Sequence, residues 1–145
     1  MAKGVTEPPY TREILRLAAS IPYLEPFDVV AEDGVERRSP TCGSRVSMAV
    51  ELDWADRIVR LRQAVEACAY GQASAALLGG HAMGRSKEEI AAALNELESW
   101  LAGQGDLPTS WPGLEVLAPA LSRKGRHGAI LLPFRTLLAA MELEK

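Results

Sequence analysis

Two cysteines and one histidine are the residues best suited to chemistry: Cys42 in Pro40-Thr41-Cys42-Gly43, Cys68 in Ala67-Cys68-Ala69-Tyr70, and His127 in Arg126-His127-Gly128. Two thiolates and an imidazole suit zinc or an iron-sulfur centre, and a site with three protein ligands leaves a fourth position open. Gly43 would let the backbone come close to a bound ion or cluster. Cys68 directly follows a strand pattern and opens a helical one, where unpaired N–H groups and the helix dipole favour the thiolate. The competing reading is structural. Free cysteine is among the most buried residue types, and no Cys-x-x-Cys spacing forces a metal site. His127, beside Arg123, Lys124 and Arg126, reads from these residues alone as part of a solvated basic face, and His81 after Gly79-Gly80 reads as a surface residue.

The elements that would position these residues begin with a hairpin. Apolar residues alternate at Val46, Met48, Val50 and Leu52, break at Asp53-Trp54-Ala55-Asp56, and alternate again at Val59, Leu61, Val65 and Ala67. That is the period of two strands with one buried face. A turn centred on Trp54-Ala55 pairs Val50 with Val59, Met48 with Leu61 and Cys42 with Ala67. Trp54-Ala55 is poor two-residue turn chemistry, so the register can slip by a residue or two and still leave both thiols at the open end.

Around the hairpin, Thr11 caps a short amphipathic helix with Ile14, Leu15, Leu17 and Ala18 on one face, ending before Pro22. Phe27 to Val30 with Val35 to Arg38 suggests a strand pair about Asp33-Gly34. The small-residue stretch from Cys68 to Leu78 predicts a closely packed helix ending at Gly79-Gly80. Ser86 and Glu89 form a capping box for a helix burying Ile90, Leu94, Leu97 and Leu101 and stopping near Gly103. Residues 103–119 read as an irregular loop anchored by Trp111, Leu114, Val116 and Leu117. The last helix buries Ile130, Phe134, Leu137 and Met141 and, because of Pro133, should start within about four residues before that proline, with His127 and Gly128 at its N-terminus.

At 145 residues the chain fits one domain, with residues up to Pro9 as a loose arm. The class is α+β, an antiparallel sheet with helices segregated on one face. A net charge of −3 gives no footprint for nucleic acid and no polybasic membrane anchor. No apolar run of signal-peptide or membrane-spanning length is present, so a cytoplasmic location and reduced cysteines are expected. No Gly-rich phosphate loop, paired acid motif or nucleophile elbow points to an enzyme.

Three blocks together carry a family resemblance: Ser39-Pro40-Thr41-Cys42-Gly43, Ala67-Cys68-Ala69-Tyr70-Gly71-Gln72-Ala73-Ser74, and Arg126-His127-Gly128-Ala129-Ile130-Leu131-Leu132-Pro133-Phe134. In that order the chain resembles the U-type iron-sulfur cluster assembly scaffolds, the IscU/SufU group with its NifU N-terminal-like members. The resemblance implies a SufE/NifU-like fold, a three-stranded antiparallel sheet with helices packed on one face. It implies a scaffold that receives sulfur from a cysteine desulfurase, assembles a [2Fe-2S] cluster and passes it to acceptor apoproteins. Carried over, the ligands are Cys42, Cys68 and His127. The chain departs from the pattern at Ser44, where the family has aspartate, and at Gly128, where it has a third cysteine. Ser44, solvent or a partner would then complete the set. Leu121-Ser122-Arg123-Lys124-Gly125 replaces the family's Leu-Pro-Pro-Val-Lys segment, which puts docking to the dedicated chaperone in doubt. The loop from Trp111 to Pro119 looks closer to the SufU branch, in which zinc binding and sulfur relay also occur. Two further functions therefore stand beside the iron or cluster scaffold: a zinc-binding persulfide carrier with Cys68 as acceptor, and a metal-free regulator of the same machinery.

Overall fold

In the computed structural model, which describes residues 10–40 and 43–144, the apolar alternation becomes an antiparallel sheet of β1 (Val35–Arg38), β2 (Arg45–Leu52) and β3 (Ile58–Glu66), in that order. The hairpin is present, but its register differs from the expected one. Val50 lies opposite Leu61, Met48 opposite Gln63 and Val46 opposite Val65. The turn explains the shift. Asp53 Oδ1 accepts the N–H groups of Ala55 (2.8 Å) and Arg57 (3.0 Å), and Asp56 adopts φ +61°, so the connection is longer than two residues. A shift of two keeps every side chain on its face. A bulge at Glu51/Leu52 then puts Ile58 in the core and leaves Val59 55% exposed, reversing the expectation for Val59. The expected pair of Cys42 with Ala67 falls on a residue outside those described.

One sheet face, with Val46, Met48, Val50 and Leu61, joins the main core. Against it lie α3 (Ala69–His81) and α5 (His127–Leu143), while α1 (Arg12–Ala18) packs on α3 and α4 (Lys87–Leu101) packs on α5. The expected α+β architecture is thus realised. The segment expected to pair with β1 is instead a five-residue helix, α2 (Phe27–Ala31), which lays Val30 and Phe27 on Ala49 and Ala64 of the opposite face. Phe27 and Val30 are three apart, a helical spacing too short to stand out in sequence. Thr11 caps α1 as expected, its Oγ1 accepting the N–H of Ile14 at 3.2 Å, although Leu15 is exposed.

The pair Gly79-Gly80 does not end α3, which runs on to His81. Gly79 serves a close approach instead: a Cβ there would sit 2.6 Å from Pro22 Cγ. Pro133 is likewise inside α5 rather than in its first turn, as the seventh residue. It cannot donate to the Ala129 carbonyl, and the burial of α5 against the sheet and two helices holds the helix through that gap. Residues 114–119, the end of the stretch read as loop, belong to a 3₁₀ helix (Leu114–Ser122), with Trp111, Leu114 and Leu117 as the expected anchors.

The capping box of α4 is complete: Ser86 Oγ accepts the Glu89 N–H (3.2 Å), and the Glu89 carboxylate accepts the Ser86 N–H (2.9 Å). Those bonds, with Arg57 beside the carboxylate, hold the Glu89 pKa below its ordinary value. Its contribution is therefore present above the unfolded carboxylate pKa and fades as pH falls through the lower folded one. Ser86→Ala is expected to lower unfolding free energy by about 1 kcal/mol in urea titrations at neutral pH. An unchanged midpoint would mean the cap is idle.

Candidate metal centre

Cys68 is the N-cap residue of α3, with extended backbone (φ −66°, ψ 171°), no side-chain capping bond, and a half-buried free thiol. Its carbonyl accepts the Gln72 N–H at 2.9 Å, so Cys68 opens the first turn of a regular helix, its side chain packed against the edge of the main core. One turn further, Gly71 has no Cβ, and one built there would lie 3.2 Å from both Cβ and O of Ala129. Ser74 Oγ donates to the Ile130 carbonyl at 2.6 Å. These two contacts clamp the start of α3 against the first turn of α5. The small-residue run was legible in sequence as a close-packing surface; its partner was not.

His127 is half-buried and fixed, while Arg123, Lys124 and Arg126 before it are exposed. Its Nε2 lies 2.8 Å from the Ala120 carbonyl oxygen. A carbonyl only accepts, so Nε2 carries a proton, and it is in the neutral form of the ring that Nδ1 offers a lone pair. A metal-ligating histidine commonly donates its other N–H to a carbonyl in this manner, which sets ring orientation and tautomer. Ala120 belongs to the 3₁₀ helix of residues 114–122, which begins within the stretch read as loop and supports the imidazole. No sequence signal singles out that carbonyl. His81 is exposed at the end of α3, as expected of a surface residue.

The third connection is the turn between β1 and β2. Ser39 N–H donates to Ser44 O (2.9 Å), Gly43 N–H donates to Ser39 O (3.1 Å), and Gly43 has φ +72°. Ser44 is buried. Thr41 and Cys42, the first expected ligand, lie outside the described residues. Pro40 and Ser39 border a cleft of about 210 Å³ whose other wall includes Gly128 and Leu132, so the described part of this turn faces the start of α5. Among the described residues, no group of three or more His, Cys, Asp or Glu side chains is arranged to hold a metal ion. The donor set that includes Cys42, two thiols and an Nδ1 lone pair, fits iron or zinc in its chemistry.

No family model matches the chain, and no curated protein matches it in sequence. Solved structures do. The N-terminal part of a nitrogen-fixing NifU-like protein from Brucella abortus superimposes with a TM-score of 0.81, at 23% identity over 92% of each chain. A protein from the thermophile Fervidobacterium islandicum AW-1, assigned as an iron-sulfur cluster assembly scaffold for the SUF system, superimposes with a TM-score of 0.76, at 21% identity over 92% of this chain and 96% of that one. At these identities the likeness establishes the fold, which is the NifU-like α+β arrangement. Among the described residues, no helix is long and apolar enough to cross a membrane.

Proposed function

We propose that this chain is an iron-sulfur cluster assembly scaffold, holding iron or a [2Fe-2S] cluster as cargo between Cys42, Cys68 and His127 and releasing it to acceptor apoproteins. The observation that carries the reading is the clamping of the Cys68 helix start onto the His127 helix start through Gly71 and Ala129. The likeness of fold to a NifU-like protein and to a SUF-system scaffold supports it. In this reading Cys68 supplies a thiolate, His127 supplies Nδ1 while Ala120 holds its Nε2–H, and Cys42 supplies the second thiolate. Sulfur would come from a cysteine desulfurase. Three protein ligands leave one coordination position for Ser44, solvent or another molecule, which suits cargo that must leave again.

Protein purified without oxygen, or reconstituted with iron and sulfide, is expected to contain iron and acid-labile sulfide in comparable amounts, with charge-transfer absorption in the visible range. Zinc in their place, with sulfur added to Cys68 after incubation with a desulfurase, would assign the persulfide carrier. Neither metal above the level of a Cys68→Ala control would leave the metal-free regulator. The histidine has its own readout. In metal-free protein above the imidazole pKa, ¹⁵N spectra should show the proton on Nε2, and metal addition should move the Nδ1 resonance. An Nδ1–H tautomer would contradict the assignment.

A further inference from the structure

The turn between β2 and β3 holds a tryptophan out in solvent on a fixed base. Trp54 is 96% exposed. Beneath it, besides the two N–H groups that Asp53 Oδ1 accepts, Asp53 N–H donates to Arg57 O and Asp56 N–H donates to Asp53 O, each at 2.9 Å. Arg57 is itself tied to the Gly84 carbonyl and to Glu89. A large ring on a rigid base loses little freedom when it is covered, which is the character of an interface anchor. Arg57 pairs with Glu89 and Arg60 with Glu51, but no ion pair reaches Asp53 or Asp56 among the described residues. Farther along the outer edge of β3 is an open cleft of about 420 Å³, lined by Tyr23, Val59, Met83 and Leu61 among others. The first three are 45%, 55% and 38% exposed. The strand edge is closed on both sides of the cleft: Gln63 bonds the backbone of Tyr23 and Glu25, and Ile58 bonds that of Gly84 and Arg85. Gln63 therefore turns its N–H and C=O away from β2, and Leu61, two residues earlier in the same ladder, does so too. No backbone partner meets Leu61 on that side among the described residues.

The cleft thus offers apolar walls and a free carbonyl, and the turn offers an apolar ring with one N–H. A buried indole N–H takes an acceptor, and Trp111 shows the same pairing inside the chain, its Nε1–H on the Leu77 carbonyl. Knob and hole lie on one strand edge with exposed Val59 between Trp54 and Leu61, so a two-fold axis near Val59 brings each knob to the other copy's hole. We propose that this edge is the interface of a symmetric dimer, in which Trp54 of each copy fills the cleft of the other and donates to its Leu61 carbonyl. Charge agrees with that occupant. Arg60, in the cleft lining, pairs only with Glu51, and both side chains are more than half exposed, so an incoming Asp53 or Asp56 carboxylate can share it. Arg62, in the same lining, is already neutralised by Glu25 and Asp33. Residues 23–25 and 84–85 occupy the rest of the edge, so side chains rather than paired strands make the contact, and the assembly closes at two. Cys68 follows the other end of β3, so the inference stands apart from the scaffold reading.

Sedimentation velocity over a concentration series is expected to show a reversible equilibrium between monomer and dimer. Trp54→Ala removes both anchors and should weaken association about tenfold or more. Val59→Glu should do the same by setting a carboxylate against Asp53 and Asp56 of the second copy. Both side chains are more than half exposed, so thermal unfolding should be nearly unchanged in either variant. The mixture of the two variants tests the geometry. Trp54→Ala keeps its cleft and Val59→Glu keeps its tryptophan, so the mixed dimer has one complete contact and should form more tightly than either variant with itself. General stickiness of apolar surface gives no such recovery. Acrylamide quenching of wild-type fluorescence should fall as concentration rises, and that change should be absent from Trp54→Ala. A monomer at millimolar concentration, a dimer indifferent to Trp54→Ala, or a mixture no tighter than its components overturns the interface. Growth beyond the dimer overturns its two-fold closure.

Discussion

Cys68→Ala is expected to reduce metal affinity by two orders of magnitude or more while leaving the fold in place. The thiol makes no capping hydrogen bond and is half-buried, so its loss removes little of what holds α3. Packing by Tyr70, Ala73, Leu77 and Leu78 fixes that helix instead. Structural zinc sites release about 10–16 kcal/mol through four ligands, which is about 2.5–4 kcal/mol for each, or a factor of about seventy to nearly a thousand. Chelator competition, read alongside thermal unfolding of both proteins, measures the two quantities separately. A variant that keeps its metal against the chelator would remove Cys68 from the ligand set. A variant that loses metal and unfolds many degrees lower would instead make Cys68 a core residue.

Trp111→Ala should be among the most damaging changes to stability, and its effect should reach the histidine. The indole is 1% exposed. Its Nε1–H donates to the Leu77 carbonyl at 2.9 Å, its ring meets Phe134 edge-to-face at 5.4 Å, and the Arg85 guanidinium lies 4.5 Å from its centroid. Truncating a fully buried aromatic costs about 3–5 kcal/mol, a large share of the 5–15 kcal/mol typical of a domain. Trp111→Phe keeps most of the buried area but leaves the Leu77 carbonyl without this donor, and should cost about 1–3 kcal/mol. Urea titrations of the two variants give both numbers. A loss below about 1 kcal/mol for the alanine variant would show that the segment is held elsewhere. Because Trp111 anchors the start of the segment that carries Ala120, the alanine variant should also blur the Nε2–H signal of His127 in ¹⁵N spectra. Retention of a sharp Nε2–H signal in a destabilised protein would show that the imidazole is held independently of that anchor.

What could be read from the chain was whatever is written within a few residues. The alternation of Val46, Met48 and Val50 gave a strand with its buried face, Ser86 with Glu89 gave a helix start, and the four-three-four spacing from Ile130 to Met141 gave the face of the last helix. Each depends on local periodicity or a local hydrogen bond. Donor types were legible for the same reason, since a thiol or an imidazole is the same group wherever the fold carries it.

Tertiary structure decided what depends on closure through space. The Asp53 turn, not the apolar pattern, moved the hairpin register by two, because strands of one parity can pair in several registers that bury the same side chains. Gly79 and Pro133, punctuation in sequence, lie inside helices because close packing outweighs their poor local propensity. The meeting of Gly71 with Ala129 and of His127 with Ala120 joins residues far apart in the chain, and nothing local foretells either. The sequence by itself therefore determined which groups could act; only the folded chain decided which helix starts pack together and which carbonyl the imidazole meets.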